Sequence, residues 1–184
     1  MRKFSQQYDV IAAGGGPAGI CAAVAAARQG ARTALVERSG ILGGMFTSGY
    51  VNPILGAVSP GTMYSEILSL LGAASMKTRN GQEMSVDTER AKGLLLQFAC
   101  DAGVDIFLQT PVVEVLKDGS AVKGLVIGTQ EGLKDLYAGV VVDATGDGFV
   151  AARAGAEYQM GRECDGRCQP ATLEFSLYGV DEET

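Results

Sequence analysis

The sequence predicts an α/β fold, a parallel sheet carrying an inserted antiparallel β-meander. Three observations predict it. Residues 8–37 read strand, glycine turn, helix and strand within about 30 residues. Two further apolar-rich runs, Val104–Leu108, broken by Asp105 alone, and Val140–Val142, do not alternate, as in strands buried on both faces. Between them lie short strand-like runs separated by Asp118-Gly119 and Glu131-Gly132, dipeptides that close tight hairpins.

Each element has a local reason. Tyr8–Ala13 is a short apolar run ending in the turn Gly14-Gly15-Gly16. Pro17 suits the first turn of a helix, where its missing N–H costs nothing. Ala18–Gln29 is alanine-rich and helical by propensity, and Gly30 closes it. Thr33–Glu37 is the second strand. Residues 38–61 form a long glycine-containing loop with two prolines, and loops of that length in a compact domain are usually functional. Thr62 is placed to cap a short helix to about Leu71, residues 72–86 read as exposed and irregular, and Asp87 is placed to cap a helix ended by Gly103. The meander comprises Val112–Leu116, Ala121–Thr129 and Leu133–Tyr137. After Val140–Val142 comes Asp143-Ala144-Thr145-Gly146-Asp147 and a helix closed by Gly155. From Ala171 the tail alternates, with Leu173, Phe175 and Leu177 against Thr172, Glu174 and Ser176, which predicts a half-buried strand.

Composition narrows the chemistry. The 184 residues contain no histidine, which excludes Ser-His-Asp and Cys-His nucleophile systems, histidine-ligated metals and an imidazole pH switch. A net charge of -6, with basic residues scattered, argues against a nucleic-acid surface. No run reaches the ~18 apolar residues of a membrane span. Cys21 and Cys100 lie in apolar helical patterns and read as buried reduced thiols, which predicts a cytoplasmic protein. Glycine is the anomaly: 26 residues, about twice the average usage.

Gly14-x-Gly16-x-x-Gly19 explains part of that excess. Gly14 permits the tight turn, Gly16 lets backbone approach a pyrophosphate, and Gly19 with Ala23 lets helix and strand pack closely. The helix N-terminus supplies free N–H donors. Glu37, at the end of the second strand, is placed for ribose hydroxyls. This is a Rossmann-like dinucleotide site; its spacing alone does not separate NAD from FAD.

Three stretches carry a resemblance: YDVIAAGGGPAGICAAVAAARQGARTALVER, GGMFTSGYVNPILG and VVDATGDGFVAARAG. The chain resembles FAD-dependent oxidoreductases of the glutathione-reductase-like superfamily, on the fumarate reductase-like branch. The resemblance implies FAD, with Gly14, Gly16, Pro17, Ala18 and Gly19 at its pyrophosphate, Glu37 at the adenosine ribose and Arg38 near adenine. It puts Gly44 and Met45 along the flavin side, Val112 against adenine through its backbone, and Ala144, Thr145 and Gly146 at a second close approach. Position agrees for the last group, since ligands bind beyond the carboxyl ends of parallel strands; a simple strand-to-helix turn capped by Asp147 is compatible with it. The resemblance further implies an FAD-binding domain over residues 1–155, including 38–103 and the meander 110–137, and the start of a substrate domain over 156–184. Its members are longer, so the chain is expected to be the N-terminal part of an enzyme, truncated or completed by a second chain.

The expected function is hydride transfer between flavin and a small-molecule substrate. No catalytic acid or base is assigned, and no metal. Competing readings are an NAD-binding dehydrogenase module, a non-redox protein resembling thiazole synthases or flavin-dependent methyltransferases, and an inactive fragment. Cys164 and Cys168 have neither the partners for a closed zinc site nor the usual redox spacing. Tyr50, after the second glycine loop, and Arg162 read first as ordinary loop residues; the alternative is that they face a substrate, Arg162 pairing with a carboxylate.

Overall fold

The computed structural model describes residues 5–51, 60–72, 75–77, 84–175 and 177. Strand β1 (Ser5–Ala13) runs into helix α1 (Pro17–Arg28) and strand β2 (Thr33–Val36). A 3-10 turn (Gly44–Phe46) interrupts the following loop. Helix α2 (Met63–Gly72), strands β3 (Ser75–Lys77) and β4 (Met84–Val86), helix α3 (Thr88–Asp101) and strand β5 (Asp105–Phe107) come next. Strands β6 (Val112–Asp118), β7 (Ala121–Thr129) and β8 (Gly132–Asp143) precede helix α4 (Phe149–Ala154).

The main sheet has the order β5-β2-β1-β8-β7-β6. The β5, β2, β1 and β8 pairings are parallel, and β8-β7-β6 is the antiparallel meander. From β1 the chain reaches β2 on one side and β8 on the other, so the carboxyl ends of these strands flank a topological switch point.

Successive residues of β1 face opposite ways. Ala12 joins Leu35, Ile20, Val24, Leu95 and Phe98 beneath α1 and α3. Ile11 and Ala13 join Val36, Leu125, Ile127, Leu136 and Val150 on the other face. Ile11, Leu35 and Leu95 are almost fully buried, and each contributes about 1.5–3 kcal/mol by leaving water. Pro17 occupies the first turn of α1, and Asp87 accepts hydrogen bonds from the Glu89 and Arg90 amides at the start of α3.

Four expectations are corrected. Leu133–Tyr137 and Val140–Val142 belong to one continuous strand, β8, because Ala138 pairs with Tyr8 and Val140 with Val10 of β1, carrying the strand through Gly139; a Cβ on Gly139 would lie only 3.3 Å from the Asp9 carbonyl oxygen. The stretch 72–86 holds the antiparallel pair β3–β4, and Val86 is fully buried; residues 73–74 and 78–83 lie outside the described residues. The tail forms no strand at 171–175 or 177: Leu173 is 87% exposed and Phe175 72%, and no strand among the described residues lies beside them. Ser176 and Tyr178 lie outside the described residues, as do 52–59 of the long loop. Cys100 sits on the exposed side of α3, and Cys21 is half-buried. Among the described residues no helix is long and apolar enough to cross a membrane.

Candidate dinucleotide site

Backbone hydrogen bonds hold the loops at the carboxyl ends of the strands together. The Gly14 amide donates to the Val36 carbonyl at 2.7 Å, and the Ala144 amide to the Ala13 carbonyl at 2.8 Å. The Gly43 amide donates to the Gly15 carbonyl at 2.8 Å, which lays the second glycine loop against the first. The Thr110 amide donates to the Glu37 carbonyl at 2.9 Å, tying the entry to β6 to the end of β2.

The three motif glycines have different physical reasons. Gly14 has φ +105°, and a Cβ there would lie 2.2 Å from the Ala144 carbonyl oxygen. A Cβ on Gly19 would lie 1.8 Å from the Gly14 carbonyl oxygen. Both contacts are impossible, so these two positions are set by the protein itself. Gly16 is unlike them. Its φ of -72° suits any residue, and a Cβ would meet nothing within 4 Å. It is the N-cap of α1 with no side-chain cap, and the first turn carries no acid. Uncapped N–H donors at a positive dipole end make an anion site.

A groove of about 650 Å³ opens here. Gly14, Gly16, Pro17, Ala18, Glu37, Arg38, Gly44, Met45, Ala144, Thr145 and Gly146 all line it. A narrower recess of about 270 Å³ continues from it, walled by Val36, Pro111, Val112 and Phe149 and sharing Gly14, Glu37, Arg38, Thr145 and Asp147 with the groove. Of the residues assigned from sequence, Gly19 alone is on neither wall, being buried beneath the Gly14 turn.

Glu37 does more than face the groove. Its Oε2 accepts from the Gly15 amide at 2.5 Å and its Oε1 from the Ser39 amide at 2.7 Å. The carboxylate therefore fastens the glycine turn to the end of β2, and each oxygen keeps a further lone pair for a ligand hydroxyl. Arg38 is exposed and forms no ion pair among the described residues.

Asp147 is not the cap of α4. Gly148, with φ +68°, begins that helix without a side-chain cap of its own. The Phe149 amide donates to Thr145 Oγ1 at 2.9 Å and the Ala151 amide to Asp143 Oδ2 at 2.7 Å. Burial pushes the Asp143 carboxyl up, but hydrogen bonds from the Ala151 amide, the Thr145 hydroxyl and amide and the Val150 amide outweigh it and hold the carboxyl below its ordinary value. Asp147 instead lines both parts of the groove. Sequence reasoning passed over Asp143, Thr110, Pro111 and Phe149. Each carried a local signal, Asp143 and Phe149 in the segment around Ala144-Thr145-Gly146 and Thr110 and Pro111 directly before Val112. Arg162 is engaged within its own turn, its Nε donating to Asp165 Oδ1 at 3.0 Å.

The model of the family described as FAD dependent oxidoreductase matches residues 9–184. The chain belongs to this family. Its cofactor is FAD. A thiamine thiazole synthase of Methanothermobacter thermautotrophicus is 31% identical over 175 residues, covering 89% of this chain and 66% of that protein. A digeranylgeranylglycerophospholipid reductase of Thermoplasma volcanium is 27% identical, covering 78% of this chain and 40% of that one. Among solved structures, THI4 of Thermovibrio ammonificans aligns with a TM-score of 0.65 at 26% identity, over 85% of this chain and 67% of that one. The chain thus spans from two fifths to two thirds of these relatives' lengths. The residues present fit the cofactor: the open space at Gly16 and the uncapped α1 N-terminus suit a pyrophosphate, and the recess beside Val112 combines apolar walls from Val36, Pro111 and Phe149 with polar groups on Glu37, Arg38, Thr110, Thr145 and Asp147.

Proposed function

We propose that this chain holds FAD for a flavoenzyme that passes hydride between the cofactor and a small-molecule substrate. The observation that carries the reading is Gly16: a glycine with no internal reason to be one, at the uncapped start of α1, on the wall of the groove. Gly14, Gly16, Pro17 and Ala18 would hold the pyrophosphate, with Gly19 supporting the turn from below. Glu37 would accept from the adenosine ribose, and Arg38 and Val112 would lie at the adenine. Gly44 and Met45 would flank the flavin side, with Ala144, Thr145 and Gly146 closing the opposite wall.

Bound FAD supplies two-electron chemistry, while this chain's residues bind and orient. We place the protein within the glutathione-reductase-like superfamily, nearer the fumarate reductase-like branch. Residues 1–155 are read as the FAD domain and 156–184 as the entry to a substrate domain. A cytoplasmic setting accords with four free cysteines, and the acidic balance gives no reason to expect a nucleic-acid partner.

Calorimetric titration of cofactor-free protein tests this reading. FAD should bind and ADP should compete with it. Binding of NAD with none of FAD would replace the reading with that of a nicotinamide-dependent module.

A further inference from the structure

We infer that Asp143 is a positioning residue for the cofactor, its carboxylate setting the Ala144-Thr145-Gly146 wall of the groove; this rests on the groove being the FAD site. Asp143 ends β8, immediately before that wall. Its Oδ1 accepts from the Thr145 amide at 3.0 Å and from the Thr145 hydroxyl at 2.7 Å. Its Oδ2 accepts from the Ala151 amide at 2.7 Å. The Thr145 hydroxyl in turn accepts from the Phe149 amide at 2.9 Å. One carboxylate therefore fixes both the wall and the helix behind it.

Two consequences follow for the ligand. Thr145 has its amide and hydroxyl turned away to Asp143, so what it presents to the groove is backbone position rather than a side-chain donor. The first-turn donors of α4 are satisfied within the protein, which leaves the α1 N-terminus to receive an anion. Placement of this wall matters because it rests directly on the first glycine turn. The Ala144 carbonyl oxygen lies 2.2 Å from where a Gly14 Cβ would stand, and the Ala144 amide donates to Ala13. Any drift of residues 144–146 changes the gap between the two loops.

The geometry demands a carboxylate. An asparagine has one acceptor oxygen, so it cannot serve Thr145 and Ala151 together, and its NH₂ would face an N–H. Asp143→Asn should weaken FAD binding about 10- to 100-fold, the range set by leaving a charged hydrogen-bond partner unmet.

The test is fluorescence titration of cofactor-free protein with FAD, with folding followed by circular dichroism. Asp143→Asn and Thr145→Val should each weaken binding while the protein stays folded. Thr145→Ser, which keeps hydroxyl and amide, should recover affinity to within about three-fold of wild type, and the double variant should fall well short of the summed losses because both changes break one network. If Asp143→Asn fails to fold, the valine and serine variants decide. Wild-type protein that binds FAD, with Asp143→Asn within two-fold of it or serine no better than valine, would overturn the inference alone. Wild-type protein that takes up no FAD would overturn the inference together with the reading beneath it.

Discussion

Replacing Gly16 with alanine should separate cofactor binding from folding. At this position φ is -72° and ψ -178°, and a Cβ would meet nothing within 4 Å. Alanine restricts the unfolded chain, which stabilises by about 0.4–1 kcal/mol. Against this, alanine is a poorer N-cap than glycine, by an amount of similar size. The two effects nearly cancel, so the melting temperature of the cofactor-free protein should move by no more than about 2 °C. Binding should respond very differently. The new methyl would stand where backbone must touch phosphate, and loss of charge-assisted contacts worth about 1.5–3 kcal/mol corresponds to roughly 10- to 150-fold in affinity. Gly14→Ala and Gly19→Ala are the contrast, because their Cβ atoms would come to 2.2 and 1.8 Å from carbonyl oxygens; both should unfold the protein or lower its melting temperature strongly. The assays are thermal melting by circular dichroism and FAD titration. A Gly16→Ala protein that melts many degrees lower, or that binds FAD as well as wild type, would refute the assignment of this glycine to the ligand.

Glu37→Gln leaves one of the Gly15 and Ser39 amides facing an NH₂, which should cost about 1–3 kcal/mol and be visible as a lower melting temperature as well as weaker FAD binding; an unchanged melt would show that the carboxylate does not fasten the turn. Burial, with the nearby Glu66 charge, pushes the Cys21 thiol up, whereas Cys100, Cys164 and Cys168 are exposed. Thiol titration near neutral pH should therefore show a slow phase that Cys21→Ala abolishes, and four equal phases would contradict the packing around α1. Burial, then the hydrogen bond and charge of Asp105, raises the Tyr8 phenol to about 12. An unfolded tyrosine ionises near 10, so the unfolded chain gives up this proton first. The associated stability is complete below about pH 10 and is lost between about 10 and 12. Melts across that range should fall less steeply for Tyr8→Phe, and parallel curves would reject the account.

The elements most legible in the sequence were those with local punctuation. Gly14-Gly15-Gly16 with Pro17 marks the start of α1, and Asp118-Gly119 and Glu131-Gly132 bracket β7, which spans Ala121–Thr129 as the pattern indicates. Elements defined by partners were harder to see. β3 and β4 are three residues each, too short for a period, and exist by pairing with each other. Ala138-Gly139 looks like a break, yet β8 runs through it beside β1. The tail shows the converse: alternation at Leu173, Phe175 and Leu177 is a strand pattern, but a strand also needs a neighbour.

The groove divides in the same way. Its glycine walls were readable because a close backbone approach demands glycine locally. That Thr110, Pro111 and Phe149 share one recess with Val36 follows from the β2–β5 and β6–β8 arrangement. The second duty of Glu37, on the Gly15 and Ser39 amides, depends on three-dimensional proximity that spacing does not encode.

The most direct measurement is the visible absorption spectrum of the purified protein before and after denaturation. The account predicts a flavin band at about 450 nm, with FAD released into solution on unfolding and identified by its mass. A colourless protein that takes up NAD and leaves added FAD unbound would contradict it.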